Sequence, residues 1–402
     1  MAYRASAEAL ERYADIFVNF ALGGREGIKA GDVVLLSASE PATPLYVSVQ
    51  TAVLRAGGTT IPDFTPAGAT RLRLETATLE QLSSFRRPYY RGLASTIDHH
   101  ISILPTTEPH ELEGIDPKKL LQGRRTMKPF RDWLDRKEHE GRYSWTLGLY
   151  GTAAMAKDVG MSLEAYWRQI IDACFLDDPD PIRRWRETFR EVDRIKRRLD
   201  RLEIDRLHVE GDSVDLRFTV GLHRRWLGAS GHNIPSFEVF TSPDCRETEG
   251  TVSFDLPLHH RYGGTIEGIR LAFERGAVVE ATASRGEDML REMIASDAGS
   301  PRVGELSLTD GRLSPITHFM GSTLYDENRG GPQGNFHLAL GNAYREAFAG
   351  DVVAQKQSDW RRRGFNDSSV HTDIVSTTRR RVTARLRSGR TKVIYDEGRF
   401  TI

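Results

Sequence analysis

Near the start of the chain, apolar positions switch between two periods. From Ala7 to Ala21 they recur at Leu10, Tyr13, Phe17, Val18 and Ala21, the spacing of a helix with one buried face. Lys29-Ala-Gly-Asp32 then leads into Val33-Val34-Leu35-Leu36, a short unbroken apolar run suited to a buried parallel strand. Thr43 to Ala56 returns to the helical period, with Thr43 as its cap and Pro44 at the first helical position. Gly57-Gly58 ends that helix, and Thr59-Thr60-Ile61-Pro62 reads as the next strand. Ser95-Thr96-Ile97 and Ile101-Ser102-Ile103-Leu104 continue the same sheet. Strand and helix alternating at this pitch predict a parallel sheet with crossover helices.

From Pro117 to Leu202 the pattern becomes helical and heavily charged. Pro181 to Leu202 places Ile182, Trp185, Phe189, Val192, Ile195, Leu199 and Leu202 on one stripe among many Arg and Glu, a solvated helix that suits a connector. After Leu207 the period shortens to two. His208 to Val220 alternates around a Gly-Asp turn, the mark of a hairpin. Thr251 to Phe254 and Gly276 to Ala283 add strands. Val382, Ala384 and Leu386 alternate with polar neighbours, and Thr391 to Tyr395 answers as a second strand. The fold class expected is α/β. A flavodoxin-like parallel α/β domain with its helical connector occupies 1–202, and a mixed-sheet α/β domain occupies 203–402.

A chain of 402 residues is long enough for two cores. Lys+Arg and Asp+Glu balance at 56 each, so no net charge recommends nucleic acid or an anionic membrane as partner. The two cysteines, Cys174 and Cys245, form no disulfide framework and no Cys zinc cluster. The N-terminus has no apolar signal core and no long apolar run occurs, so a cytoplasmic address is expected.

Several short catalytic motifs are absent. There is no His-Glu-x-x-His, no Gly-x-Gly-x-x-Gly following a strand, no Gly-x-x-x-x-Gly-Lys phosphate loop and no Gly-x-Ser-x-Gly elbow. Gly23-Gly-Arg-Glu-Gly27 follows a helix and is most simply its stop. What remains is a dispersed set. His371-Thr-Asp373 places both side chains on one face of an extended segment, as two ligands of one ion or as an ordinary surface pair. His337 lies in an apolar stretch, either a core histidine or a ligand, and on a helix Tyr344 would return to its face. Glu238 in Phe-Glu-Val-Phe and Glu305 before Leu-Ser-Leu are carboxylates in apolar runs, costly to bury without a cation or a partner.

Taken in order, these phrases resemble the thermophilic-type metallo-aminopeptidases, the AmpS, AmpT and PepS-like group, over essentially the whole chain. The resemblance rests on Leu10-Glu-Arg-Tyr-Ala, Lys29-Ala-Gly-Asp-Val-Val-Leu-Leu, Trp145 to Lys157 and Asp177-Asp-Pro-Asp-Pro. It continues in Asn233-Ile-Pro-Ser-Phe-Glu238-Val-Phe-Thr, Gly304-Glu305, Leu324-Tyr-Asp-Glu-Asn328, His337 to Tyr344 and Asn366 to Asp373. It implies a cytoplasmic homodimer holding two divalent metal ions, zinc, cobalt or manganese. Glu238, Glu305, His337, His371 and Asp373 would be the ligands, with Glu305 bridging and catalytic, and Tyr344 would be the hydroxyl that stabilises an oxyanion. The substrate implied is a peptide or small amide with a free N-terminus, with neither nucleic acid nor membrane as partner. The alternative on the same fold is a mononuclear iron ring-cleaving dioxygenase using His337, His371 and Asp373. Two departures bear on the substrate. Arg329-Gly-Gly-Pro-Gln-Gly-Asn-Phe336 is a longer loop, either a pocket rim or a plain turn. Arg379-Arg380-Arg381 is either an anion site or the outer face of a hairpin, the latter being expected.

Overall fold

The computed structural model describes residues 3–104, 109–221, 223–260 and 264–402. The chain divides into two compact units, Met1–Glu187 with Ser230–Ser236, and Thr188–Ala229 with Phe237–Ile402. The division between Glu187 and Thr188 falls within the helix Pro181–Asp200.

The first unit is built on four parallel strands, β1 (Val33–Ser39), β2 (Thr59–Thr65), β3 (His99–Leu104) and β4 (Ser144–Leu149), in the order β2-β1-β3-β4. The opening helix runs Ala7–Ile16 and continues as a wider turn over Phe17–Ala21, with the side chain of Ser6 capping Ala9 N. The second helix is Thr43–Arg55; Thr43 lies inside it, and its hydroxyl bonds Glu40 O rather than capping. Two further expectations fail here. Ser95 and Thr96 close the helix Arg87–Thr96 instead of starting a strand. The charged region after Pro117 is interrupted by β4, whose Trp145, Leu147 and Leu149 alternate too briefly to stand out from the helices around them. One face of the sheet packs Leu35 against Ala94, Ile97, Phe130, Leu134 and Tyr143. Beyond β4 the segment around His232 joins the sheet edge, through Leu147 N to His232 O at 2.8 Å and Ile234 N to Leu147 O at 2.9 Å.

The second unit contains β5 (Ile204–Gly211), β6 (Val214–Thr219), β7 (Glu238–Thr241), β8 (Glu249–Ser253), β9 (Leu258–His260) and β10 (Gly264–Ile266). These are followed by β11 (Arg270–Glu274), β12 (Ala277–Thr282), β13 (Val303–Thr309), β14 (Asn335–Gly341) and β15 (His371–Ser376). The last three are β16 (Arg380–Leu386), β17 (Thr391–Asp396) and β18 (Arg399–Phe400). Eight of them form an antiparallel sheet in the order β12-β11-β8-β6-β5-β16-β17-β18, which includes both hairpins expected from the sequence. A separate antiparallel sheet runs β15-β14-β13-β7. Its even-numbered Leu306, Leu308, Leu338, Leu340 and Ile374 are buried, leaving the odd-numbered side chains of those strands for the other face.

Arg380 departs from the expected outer face of the β16–β17 hairpin. It is 1% exposed, and its guanidinium donates to the carbonyls of Gln333 and Thr378. Gln333 O also accepts from the Tyr395 hydroxyl at 3.2 Å, so the glycine-rich loop before β14 is tied down against this hairpin. Among the described residues, no helix is long and apolar enough to cross a membrane.

Candidate metal centre

The four strands β7, β13, β14 and β15 position all five expected ligands. Glu238 opens β7, Glu305 lies on β13, His337 on β14, and His371 and Asp373 on β15. The register carries them to one face. Thr309 stands opposite Glu238, Ser307 lies between Phe240 and His337, and Ala339 lies between Glu305 and Asp373. Because side chains alternate along a strand, every one of these positions projects the same way. His337 is therefore placed by a strand, not by the helix that its spacing to Tyr344 suggests. Tyr344 follows the strand and precedes a short turn of helix, with its backbone N–H bonded to Ser242 Oγ at 2.9 Å.

Two glycines make this pairing possible. Gly304 precedes Glu305 at a register shift between β13 and β14, where a Cβ would come within 2.2 Å of Asn342 O. Gly341 has φ +106, and a Cβ there would meet Val370 O at 2.1 Å. The chain leading into β15 is fixed by Asp297, which accepts from Ser368 Oγ and Ser369 N, both at 2.8 Å.

The distances within the cluster are short. His337 Nε2 lies 3.2 Å from Glu305 Oε1, 3.3 Å from Glu238 Oε2 and 4.0 Å from Asp373 Oδ1. His371 Nε2 lies 3.5 Å from Glu305 Oε2 and 3.4 Å from Asp373 Oδ1. Its other nitrogen faces Asn342 O at 2.9 Å, which aims the ring at the carboxylates. Ser307 Oγ donates to Glu238 Oε2 at 3.2 Å. The Tyr344 ring packs edge-on to His371 with centroids 5.1 Å apart.

The structure adds a residue that the sequence reading left out of the site. Glu327 is 6% exposed and offers an oxygen within 4.8 Å of donors on His337 and Asp373. It is held by its neighbours: Asn335 Nδ2 donates to Glu327 O at 2.8 Å, and Asp326 accepts from Met320 N and Ser322 N at 2.7 and 2.9 Å. Asn328 accepts from Phe237 N at 2.6 Å and donates to Leu324 O at 3.0 Å, linking this segment to the residue before Glu238. The signal available was the run Asp326-Glu327-Asn328 itself, three polar residues following Leu-Tyr, all of them buried.

Electrostatics set this cluster apart from an ordinary ion-pair network. Burial, then the charge of Glu305, pushes the Glu238 carboxyl up to about 8. Burial, then Asp373, raises Glu327 well above the carboxylate range. Burial also works against the ionised form of Asp373, but His371 beside it prevails and brings it down to about 2. Burial disfavours the charged form of His337, yet the hydrogen bond to Glu305 carries it up to about 9. Burial, then Glu305, lifts the Tyr344 hydroxyl well above its ordinary value. Four carboxylates thus share a buried space with two imidazoles, and full ionisation there calls for further positive charge.

Among the described residues, three donor groups have ligand atoms within 4.8 Å of one another, namely Glu238/Glu305/His337, Glu305/His371/Asp373 and Glu327/His337/Asp373. Imidazole with carboxylate is the donor set of borderline and hard divalent cations, and the residues fit such ions.

The chain matches the family model for thermophilic metalloprotease (M29) over residues 6–400. It is 26% identical over 392 residues to Aminopeptidase PepS of Streptococcus thermophilus, with 92% of each chain covered. It is 30% identical over 327 residues to Aminopeptidase T of Thermus thermophilus, covering 75% of this chain and 77% of that one. The solved structure of wild-type AmpT from Thermus thermophilus overlays with a TM-score of 0.83 at 25% identity, covering 99% of this chain and 100% of the other.

Proposed function

The chain belongs to the thermophilic metalloprotease family M29, and from that premise we propose a two-metal aminopeptidase acting on the N-terminal bond of peptides or small aminoacyl amides. The hydrolase class follows from the family and from relatives that are aminopeptidases. The observation that carries the two-metal reading is the orientation of Glu305, which turns one carboxyl oxygen to His337 at 3.2 Å and the other to His371 at 3.5 Å. A carboxylate whose two oxygens face separate imidazoles is placed as a pair of neighbouring cations would need it.

In this reading Glu238, Glu305 and His337 would hold one divalent ion, and Glu305, His371 and Asp373 would hold the other. Glu327 would supply the fourth carboxylate, so that four negative charges would meet two divalent cations in a buried site. Divalent ions bound there would supply Lewis acidity to the scissile carbonyl and lower the pKa of water. Tyr344 keeps its proton because burial and Glu305 raise its pKa, and it donates a hydrogen bond to the carbonyl oxygen as charge develops. A free N-terminal amine brings positive charge and a further donor to a carboxylate-rich cluster, which favours cleavage at chain ends.

The test is hydrolysis of leucine amide and of unblocked against N-acetylated peptides, before and after chelation and on return of zinc, cobalt or manganese. Cleavage of the free N-terminus alone, lost on chelation and regained with metal, supports the proposal. Inertness towards every unblocked substrate, with oxygen uptake on a dihydroxypyridine in the presence of ferrous iron, would replace it with the mononuclear iron reading.

A further inference from the structure

The face of the β7–β15 sheet that carries the carboxylate–imidazole cluster also carries an aromatic side chain, that of Phe240. Phe240 lies two residues after Glu238 on β7, so both project to the same face. It stands opposite Ser307, which stands opposite His337, so phenylalanine and imidazole share one row of the sheet. Val239 and Thr241 on either side are fully buried, whereas Phe240 is partly exposed. Its ring centroid lies 5.2 Å from that of Tyr344, and the Tyr344 ring lies 5.1 Å from His371. The two aromatic rings therefore form a continuous flank along the cluster, reaching from the strand of Glu238 to His371.

The backbone of Phe240 is fixed on its outer side as well. Phe240 N donates to Leu227 O at 3.1 Å, and Leu227 N donates to Phe240 O at 2.7 Å. A rigid, partly exposed aromatic wall beside convergent polar groups is the composition of a small-molecule subsite. Resting on the aminopeptidase reading above, we propose that Phe240 is the apolar wall of the subsite for the side chain of the substrate's N-terminal residue. The amine and carbonyl of that residue must meet the carboxylate–imidazole cluster, so its side chain has the flanking aromatic surface to cover. The substrates selected are peptides and amides beginning with leucine, phenylalanine or a similar apolar residue.

The experiment compares kcat and KM for alanine, leucine, phenylalanine and lysine aminomethylcoumarin amides in wild type, Phe240→Ala and Phe240→Leu, with metal content measured for each protein. Wild type should prefer leucine and phenylalanine over alanine, and Phe240→Ala should shrink that preference by about tenfold or more, chiefly through KM. Phe240→Leu, which keeps an apolar side chain in the strand, should retain most of it. A wild type without preference for apolar residues, or variants that lose activity in the same proportion on all four amides, would overturn the proposal while leaving the aminopeptidase reading intact. A wild type inactive on all four amides and on unblocked peptides would overturn both.

Discussion

Glu305 and His371 stand on strands that are not neighbours, with β14 between them, yet Glu305 Oε2 comes within 3.5 Å of His371 Nε2. The span is possible because Ala339, the residue between Glu305 and Asp373 in the register, has only a methyl group. The other oxygen of the same carboxyl faces His337 at 3.2 Å.

Glu305 should therefore behave differently from the other carboxylates when removed. In equilibrium dialysis followed by elemental analysis, Glu238→Ala and Asp373→Ala should each retain one tightly held ion, and Glu305→Ala should retain neither. Activity of Glu305→Ala should fall by more than the roughly 100-fold that changes to supporting residues produce. Two ions retained in Glu305→Ala would show that it is not shared.

Tyr344→Phe removes a hydrogen-bond donor without disturbing the packing against His371 and Phe240. The expected loss in kcat is about 10²–10³-fold, the usual consequence of deleting one oxyanion donor. Metal content and KM should hardly change. A loss that appears mainly in KM would place the hydroxyl on bound substrate rather than on the developing charge.

Asn328→Ala leaves the Phe237 N–H and the Leu324 carbonyl without their partner inside the protein. Each buried orphan costs about 1–3 kcal/mol, so thermal unfolding should shift downward measurably. Glu327 adjoins Asn328, and Glu238 follows Phe237, so metal affinity should weaken in the same variant. Unchanged affinity alongside lowered stability would mean that the link supports the fold alone.

His100 offers a pH test far from the metal cluster in sequence and placed in the first unit. Its Nε2 lies 2.8 Å from Ser37 Oγ, and Ser37 Oγ donates to Asp63 at 2.7 Å. Burial lowers the His100 pKa to about 4, against a partial opposing pull from Asp63. The unfolded chain therefore binds a proton that the folded one refuses between the ordinary value of 6.5 and about 4. Stability is fully present above that window and is lost as pH falls through it. Melting curves at pH 7 and pH 4.5 should differ less for His100→Gln than for wild type; equal differences would remove His100 as the cause.

Much of this was legible in the sequence, for identifiable reasons. The parallel sheet showed itself through Val33 to Leu36 and Ile101 to Leu104, apolar runs that few other structures use. The terminal hairpin showed itself through the strict alternation around Val382, Ala384 and Leu386. Glu238, Glu305, His337, His371 and Asp373 stood out as polar residues in apolar or extended settings, and the strands bring them together. Glu327 did not stand out, because it belongs to no strand and its segment is fixed by contacts of Asp326, Asn328 and Asn335. Arg380 was misplaced for a related reason: a triplet of arginines looks solvated until the carbonyl of Gln333, from a distant loop, joins that of nearby Thr378 to receive one of them. β4 was hidden because alternation over six residues is weak evidence beside long helices. Local pattern reports local structure, and each of these features also has a partner distant in the chain: Phe237 for Asn328 beside Glu327, Gln333 for Arg380 and β3 for β4.

The order of the ligands along the chain has a consequence for biosynthesis. Glu238 is made first and His371 and Asp373 last, on strands that pair only after the intervening chain has folded. A growing polypeptide can present glutamates and a histidine long before the second half of the chelate exists. In the two-metal proposal, capture of the complete pair would thus be a late event, reserved for chains whose synthesis has passed β15, and truncated products would carry no finished centre.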